Sequence, residues 1–104
     1  MEQQQFIYVL RLVPSLHREE NWTDETRAVV GRHFQYLKQH LEQGALIMAG
    51  RTSPVDETTF GIVVFKSANL DEARGFMRQD PAVAESVMTA ELFPFHVALS
   101  TMQM

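Results

Sequence analysis

The side chain with the widest chemical reach in this chain is His33, because an imidazole titrates near neutrality and can accept and return a proton at cellular pH. It sits in Arg32-His33-Phe34-Gln35-Tyr36-Leu37-Lys38, within a helical pattern in which Val30, Phe34, Leu37 and Leu41 recur on one stripe. At about 100° per residue His33 projects roughly 40° from Leu37, so its ring is expected at the border between core and cavity or solvent. Arg11 is the one charge in an otherwise apolar run, Phe6 to Val13. There it would anchor a substrate carboxylate or enolate, or pair with Glu57 or Glu91. Tyr8 and Tyr36 would offer hydroxyl donors to a substrate, or serve as packing. Asp80 before Pro81 reads first as a helix N-cap with proline at N1. His33 itself has a structural reading as a packed histidine.

Other chemistries are excluded or unsupported. The chain has no cysteine, which removes disulfides, thiolate nucleophiles and thiolate metal sites. His17, His40 and His96 do not join His33 in a metal set: His33 and His40 share a helix side but lie two turns, roughly 10 Å, apart, and no HExxH spacing occurs. No metal is therefore expected. There is no glycine-rich phosphate loop, and Met102 and Met104 read as a tail. A net charge of -4 and a pI near 5.5 give no basic footprint for nucleic acid or anionic membrane. No apolar run is long enough to span a bilayer, and Met-Glu-Gln-Gln-Gln at the start is neither basic nor followed by a signal-like core. The expectation is a soluble cytoplasmic protein. With 104 residues, positions 1–104 are expected to form a single domain with a modest core.

The elements that must position these residues follow in order. Phe6 to Val13 reads as a strand ended by Pro14. Asn21 and Thr23 compete as caps for a first helix from about Asp24 to Gln43, stopped by Gly44 in the C′ position. Ala45 to Ala49 is the second strand, Thr52 to Glu57 a loop, and Thr58 to Phe65 a third strand paired with the second. Asn69-Leu70-Asp71-Glu72 has capping-box spacing and opens a second helix, about Leu70 to Arg78. Asp80-Pro81 ends that helix and starts a short helical turn through Glu85. Thr89 to Leu99 is the last strand, with Pro94 calling for an edge or bulge.

The order β-α-β-β-α-β predicts an α+β fold, the ferredoxin-like sandwich: a four-stranded antiparallel sheet with both helices on one face. Phe6, Tyr8, Leu10 and Leu12 alternate against Ile7, Val9 and Val13, and Phe60, Ile62 and Val64 against Val63 and Phe65, so both sheet faces are apolar. Two helices cover only one face. Leaving the other wet would forgo up to about 1.5–3 kcal/mol for each large side chain. A second copy, packed sheet to sheet as a homodimer enclosing a barrel-like space, is the expected cover. A monomer whose N-terminal or 15–22 segment folds over the sheet is the alternative.

The ordered set of His33, Tyr36-Leu37, Gly44, Leu46, Ala49-Gly50, Gln79-Asp80-Pro81 and Pro94-Phe95 resembles the YciI-like family of the dimeric α/β-barrel superfamily, over roughly Phe6 to Leu99. The resemblance implies a pocket lined by a histidine of the first helix and an aspartate just after the second, acting as a catalytic pair. Carried over by position, these are His33 and Asp80. Where such proteins usually have Gly-Pro after the second strand this chain has Gly50-Arg51, and an aromatic that often follows Asp-Pro is Ala82 here. Both departures sit near the expected pocket mouth, so substrate class is not carried over. Arg51 joins Arg11 and Tyr8 as a substrate-binding candidate. In such a pair the carboxylate fixes the imidazole tautomer and steadies the imidazolium. The implied activity is a small cofactor-independent acid–base enzyme of isomerase, dehydrohalogenase or lyase type acting on a hydrophobic or aromatic small molecule. The alternative is a non-catalytic dimeric barrel that binds a metabolite or serves as an interaction module. Because asparagine caps about as well as aspartate, Asp80→Asn is expected to cost well under about 1 kcal/mol of stability.

Overall fold

The computed structural model describes residues 3–101, which places Met102 and Met104 outside the described residues. Four strands, β1 (Gln4–Leu12), β2 (Leu46–Arg51), β3 (Gly61–Ser67) and β4 (Met88–Phe95), form one sheet in the order β2-β3-β1-β4. All three pairings are antiparallel. Helices α1 (Asp24–Glu42), α2 (Leu70–Gln79) and α3 (Pro81–Ala84) complete the β-α-β-β-α-β order, with 3₁₀ turns at Pro14–His17 and Glu19–Asn21. This is the ferredoxin-like arrangement that the alternation of elements requires. No helix among the described residues is long and apolar enough to cross a membrane.

The helix boundaries follow from local chemistry. Thr23, not Asn21, caps α1: its hydroxyl accepts the Thr26 N–H, and the Thr26 hydroxyl accepts the Thr23 N–H in return. Gly44 follows the helix at φ 85°, a left-handed conformation that glycine adopts without a Cβ penalty. The Asn69 side chain accepts the Glu72 N–H at 2.8 Å and starts α2. The second and third strands are shifted from expectation: β2 runs on through Arg51, and β3 starts only at Gly61 because residues 52–60 form a longer loop tied by Asp56, Thr58 and Thr59. The last strand ends at Phe95, and Pro94 lies in the edge strand opposite Phe6.

One sheet face carries the core. Phe6, Tyr8, Leu10, Val63 and Phe65 are buried there with Leu46, under Leu37 of α1 and Ala73 of α2. A second cluster joins Leu16, Val29 and Val87, so the segment after β1 folds onto the N-terminal half of α1 and leaves the opposite sheet face alone. The stripe expected on α1 is corrected here. Phe34 and Leu41 are 62% and 50% exposed, while Val29, His33, Tyr36, Leu37 and His40 face inward. The inward arc is centred on Tyr36 and His40, whose rings pack on Phe76 at 5.2 and 4.7 Å between centroids. Periodicity counted on Val30, Phe34, Leu37 and Leu41 misplaces the arc because Tyr36 and His40, rings with polar atoms, pack inward on Phe76.

The other sheet face presents Ile7, Val9, Ile62, Met48, Phe93 and Phe95, by the alternation of the paired strands. Met48, Phe93 and Phe95 are more than 40% exposed. Arg11 belongs to this face, with its guanidinium 5.2 Å from the centre of the Phe60 ring; among the described residues it forms no ion pair.

Candidate active site

Asp80 is the one charged side chain among the described residues that is completely buried. It stands at the hand-over between α2 and α3, where its Oδ1 accepts the Ala82 N–H at 3.0 Å and so caps the short helix that Pro81 begins. The same oxygen meets His33 Nδ1 at 2.6 Å. The other oxygen, Oδ2, accepts the Tyr8 hydroxyl at 2.7 Å. A buried carboxylate is costly unless its lone pairs are engaged, and three donors from β1, α1 and α3 engage this one.

The three elements meet because of the topology. Tyr8 lies mid-strand in β1, a central strand, and points to the helix side opposite Val63 and Leu92. His33 projects from α1, which packs against α3; at the surface the Arg32–Glu85 ion pair at 2.7 Å joins α1 to the residue that follows α3. Burial, reinforced by the negative charge and hydrogen bond of Asp80, raises the Tyr8 phenol well above its ordinary value, so the hydroxyl stays a donor. Tyr36 is likewise raised, first by burial and then by Asp80; its hydroxyl donates to the Phe76 carbonyl at 2.8 Å.

The tautomer of His33 follows from its neighbour. With a carboxylate oxygen at Nδ1, the neutral form of the ring carries its hydrogen on that nitrogen and its lone pair on Nε2. Nε2 has no protein partner among the described residues, and no buried side-chain nitrogen there lacks one, so Nε2 is open. The His33 ring lines a cavity of about 510 Å³ between α1 and the β2–β3 side of the sheet. Leu10, Leu12, Trp22, Val30, Phe34 and Phe60 supply much of its apolar wall, and His33 and Arg51 are its two basic side chains.

The sequence-derived candidates thus divide. His33 and Asp80 come together, and Arg51 shares the cavity with His33. Tyr8 does not reach the cavity; as a fully buried phenol it is spent on Asp80, which corrects its expected place as a substrate contact. Arg11 lies on the opposite sheet face from His33, since strand alternation turns it away, and does not line the cavity. The contribution of Trp22 to the cavity wall has no counterpart in the sequence reading. Its N–H is used by the Leu16 carbonyl at 2.9 Å, and only the fold of the 14–22 segment brings it there.

Residues 9–96 match the YCII-related domain. The chain belongs to this family. Among solved structures, the fold is similar to that of 5-chloro-2-hydroxyhydroquinone dehydrochlorinase (TftG) from Burkholderia phenoliruptrix AC1100 in complex with 2,5-dihydroxybenzoquinone. That match has a TM-score of 0.66 and 14% identity over 88% of this chain and 93% of that one. The uncharacterized protein TM1266 from Thermotoga maritima gives a TM-score of 0.53 at 15% identity, over 91% of this chain and 100% of that one. SnoaB, a cofactor-independent oxygenase from Streptomyces nogalater, gives 0.50 at 14% identity, over 99% and 100%. No curated protein matches the chain in sequence. At these identities the likeness establishes the ferredoxin-like fold of the family and nothing finer.

Proposed function

We propose that this YCII-related protein is a cofactor-independent acid–base enzyme that moves a proton on a hydrophobic or aromatic small molecule. The observation that carries the reading is the 2.6 Å contact between His33 Nδ1 and Asp80 on a residue that lines an apolar cavity. In this role Nε2 takes a proton from carbon next to a carbonyl, and the electron pair of the broken C–H bond moves into the carbonyl as an enolate. Return of the proton to a different carbon isomerises the substrate. Alternatively the enolate pair closes into a carbon–carbon double bond while a halide on the adjacent carbon leaves with the electron pair of its own carbon–halogen bond, which is an elimination. Asp80 keeps the imidazole in the competent tautomer and stabilises the imidazolium, and Tyr8 acts as a positioning residue that holds Asp80. A dehydrochlorinase and a cofactor-independent oxygenase are built on a similar fold, which supports the reading at the level of the scaffold.

The assembly proposed with it is a homodimer formed through the face that bears Met48, Phe93 and Phe95, each more than 40% exposed. Burying that patch against its own copy recovers apolar surface that the helices leave uncovered.

The test is deuterium exchange into carbon acids, hydroxylated quinones and unsaturated lactones among them, followed by proton NMR in heavy water. Protein-dependent exchange that falls by about a hundredfold or more in His33→Gln supports the reading. Exchange that is unaffected by His33→Gln, or is absent with every carbon acid tried, leaves the metabolite-binding barrel as the better account.

A further inference from the structure

The cavity beside His33 holds an unbalanced set of polar groups. Of the side chains that line it, Arg51 is the only one with a permanent charge, and no aspartate or glutamate is among them. Arg51 forms no ion pair among the described residues; one of its N–H groups donates to the Thr52 carbonyl at 3.2 Å, which leaves most of a five-donor fork unspent. The other polar side chains of the wall are occupied. The Thr59 hydroxyl donates to the Pro54 carbonyl and accepts the Asp56 N–H, and the Trp22 N–H is taken by Leu16. A ligand therefore finds two basic side chains, the exposed Arg51 guanidinium and the His33 ring, along an otherwise apolar wall.

The shape adds a second constraint. On the helix side of the sheet, β2 and β3 offer Ala49 and Gly61 beneath the cavity. A Cβ at Gly61 would lie 3.3 Å from the Gly50 carbonyl oxygen, so a larger residue there would crowd the sheet and fill the floor. Trp22, Phe34 and Phe60 stand around it. A shallow floor with aromatic walls suits a flat ring, and about 510 Å³ is within the range of pockets that hold one or two fused rings.

We propose that the cavity takes a flat ring compound carrying an ionised oxygen group, a carboxylate or phenolate, with Arg51 reading the charge. This rests on the acid–base reading only for the part assigned to His33; the charge preference is a property of Arg51 alone. Arg51 is thereby a specificity-determining residue, since an oxyanion bound bidentately to a guanidinium fixes the orientation in which the ring meets His33.

The test is a calorimetric or NMR titration with naphthoate and its neutral counterpart naphthamide. Naphthoate is expected to bind at least about tenfold more tightly. Arg51→Gln should abolish that difference, and His33→Gln should preserve it. In the unaltered protein, raising the salt concentration should weaken naphthoate and leave naphthamide unchanged. This measurement stands independently of any variant. Equal affinity for the two probes, no naphthoate binding, or a preference that survives Arg51→Gln overturns the proposal without touching the deuterium-exchange result. An anion preference accompanied by His33-independent exchange does the reverse.

Discussion

Tyr8 and His33 bind opposite oxygens of one carboxylate: the phenol donates to Asp80 Oδ2 at 2.7 Å and the imidazole meets Oδ1 at 2.6 Å. Neither contact is local in sequence. The strand residue fixes the carboxylate plane from below, and the helix residue receives its orientation from that plane. In this arrangement the rigidity of β1, flanked by a strand on each side, is transmitted to the ring that faces the cavity.

Asp80→Asn is expected to be costlier than a capping argument allows. Oδ1 must still accept both the Ala82 N–H and the His33 Nδ1–H, so the new amide nitrogen faces Tyr8. The Tyr8 hydroxyl can accept from that nitrogen, but its own hydrogen then loses a partner in a fully buried place. The loss should be about 1–3 kcal/mol, measured by urea denaturation. A change of only a few tenths would mean that the site relaxes around the amide.

Alkaline pH should weaken the fold through Tyr8. Its native phenol is held above the ordinary value of 10.0, chiefly by burial and then by Asp80, so above that pH the unfolded chain releases a proton that the folded chain keeps. The unfolded state then binds fewer protons, and stability falls as pH rises. The contribution is fully present below 10.0 and is lost as pH climbs from there toward the raised folded value. Denaturation midpoints on either side of that pH should separate, and Tyr8→Phe should reduce the separation. Tyr36, raised in the same direction, accounts for what remains.

Phe93→Arg puts a charge into the exposed apolar face opposite Ile7 on the neighbouring strand. Light scattering coupled to gel filtration should return about twice 11.9 kDa for the unaltered protein and close to 11.9 kDa for the variant. A single-chain mass for the unaltered protein at micromolar concentration would remove the homodimer from the proposed assembly.

Gly44→Ala should destabilise the fold by about 1–2 kcal/mol. The position has φ 85°, and a Cβ added there would meet no other atom within 4 Å, so the cost is backbone strain with no steric clash. Thermal unfolding reads it directly, and Gly44→Asn, which tolerates this conformation better, should recover part of the loss.

Much of the fold is legible in the chain because local rules and tertiary structure agree. Proline after Asp80, glycine after α1 and alternation in β1 and β3 each specify an element on their own, and their order specifies the sheet. Three features are not legible in the same way. The inward arc of α1 is built from Tyr36 and His40 as much as from aliphatic residues. Tyr8 reads as available to a ligand because strand alternation gives the face of a side chain but not the partner waiting there. Arg11 reads as a substrate anchor because it is the one charge in an apolar run, whereas its place in β1 assigns it to the side of the sheet away from His33.

Asp80 Oδ1 accepts the Ala82 amide and the His33 imidazole together, which makes one backbone N–H a gauge of the ring's charge. A positive charge on the ring would strengthen its hold on the shared oxygen at the expense of the bond to Ala82. The amide resonance of Ala82, buried and on a different helix from the histidine, should then move with the protonation of a side chain it never touches. The chain carries its own indicator, readable without a substrate.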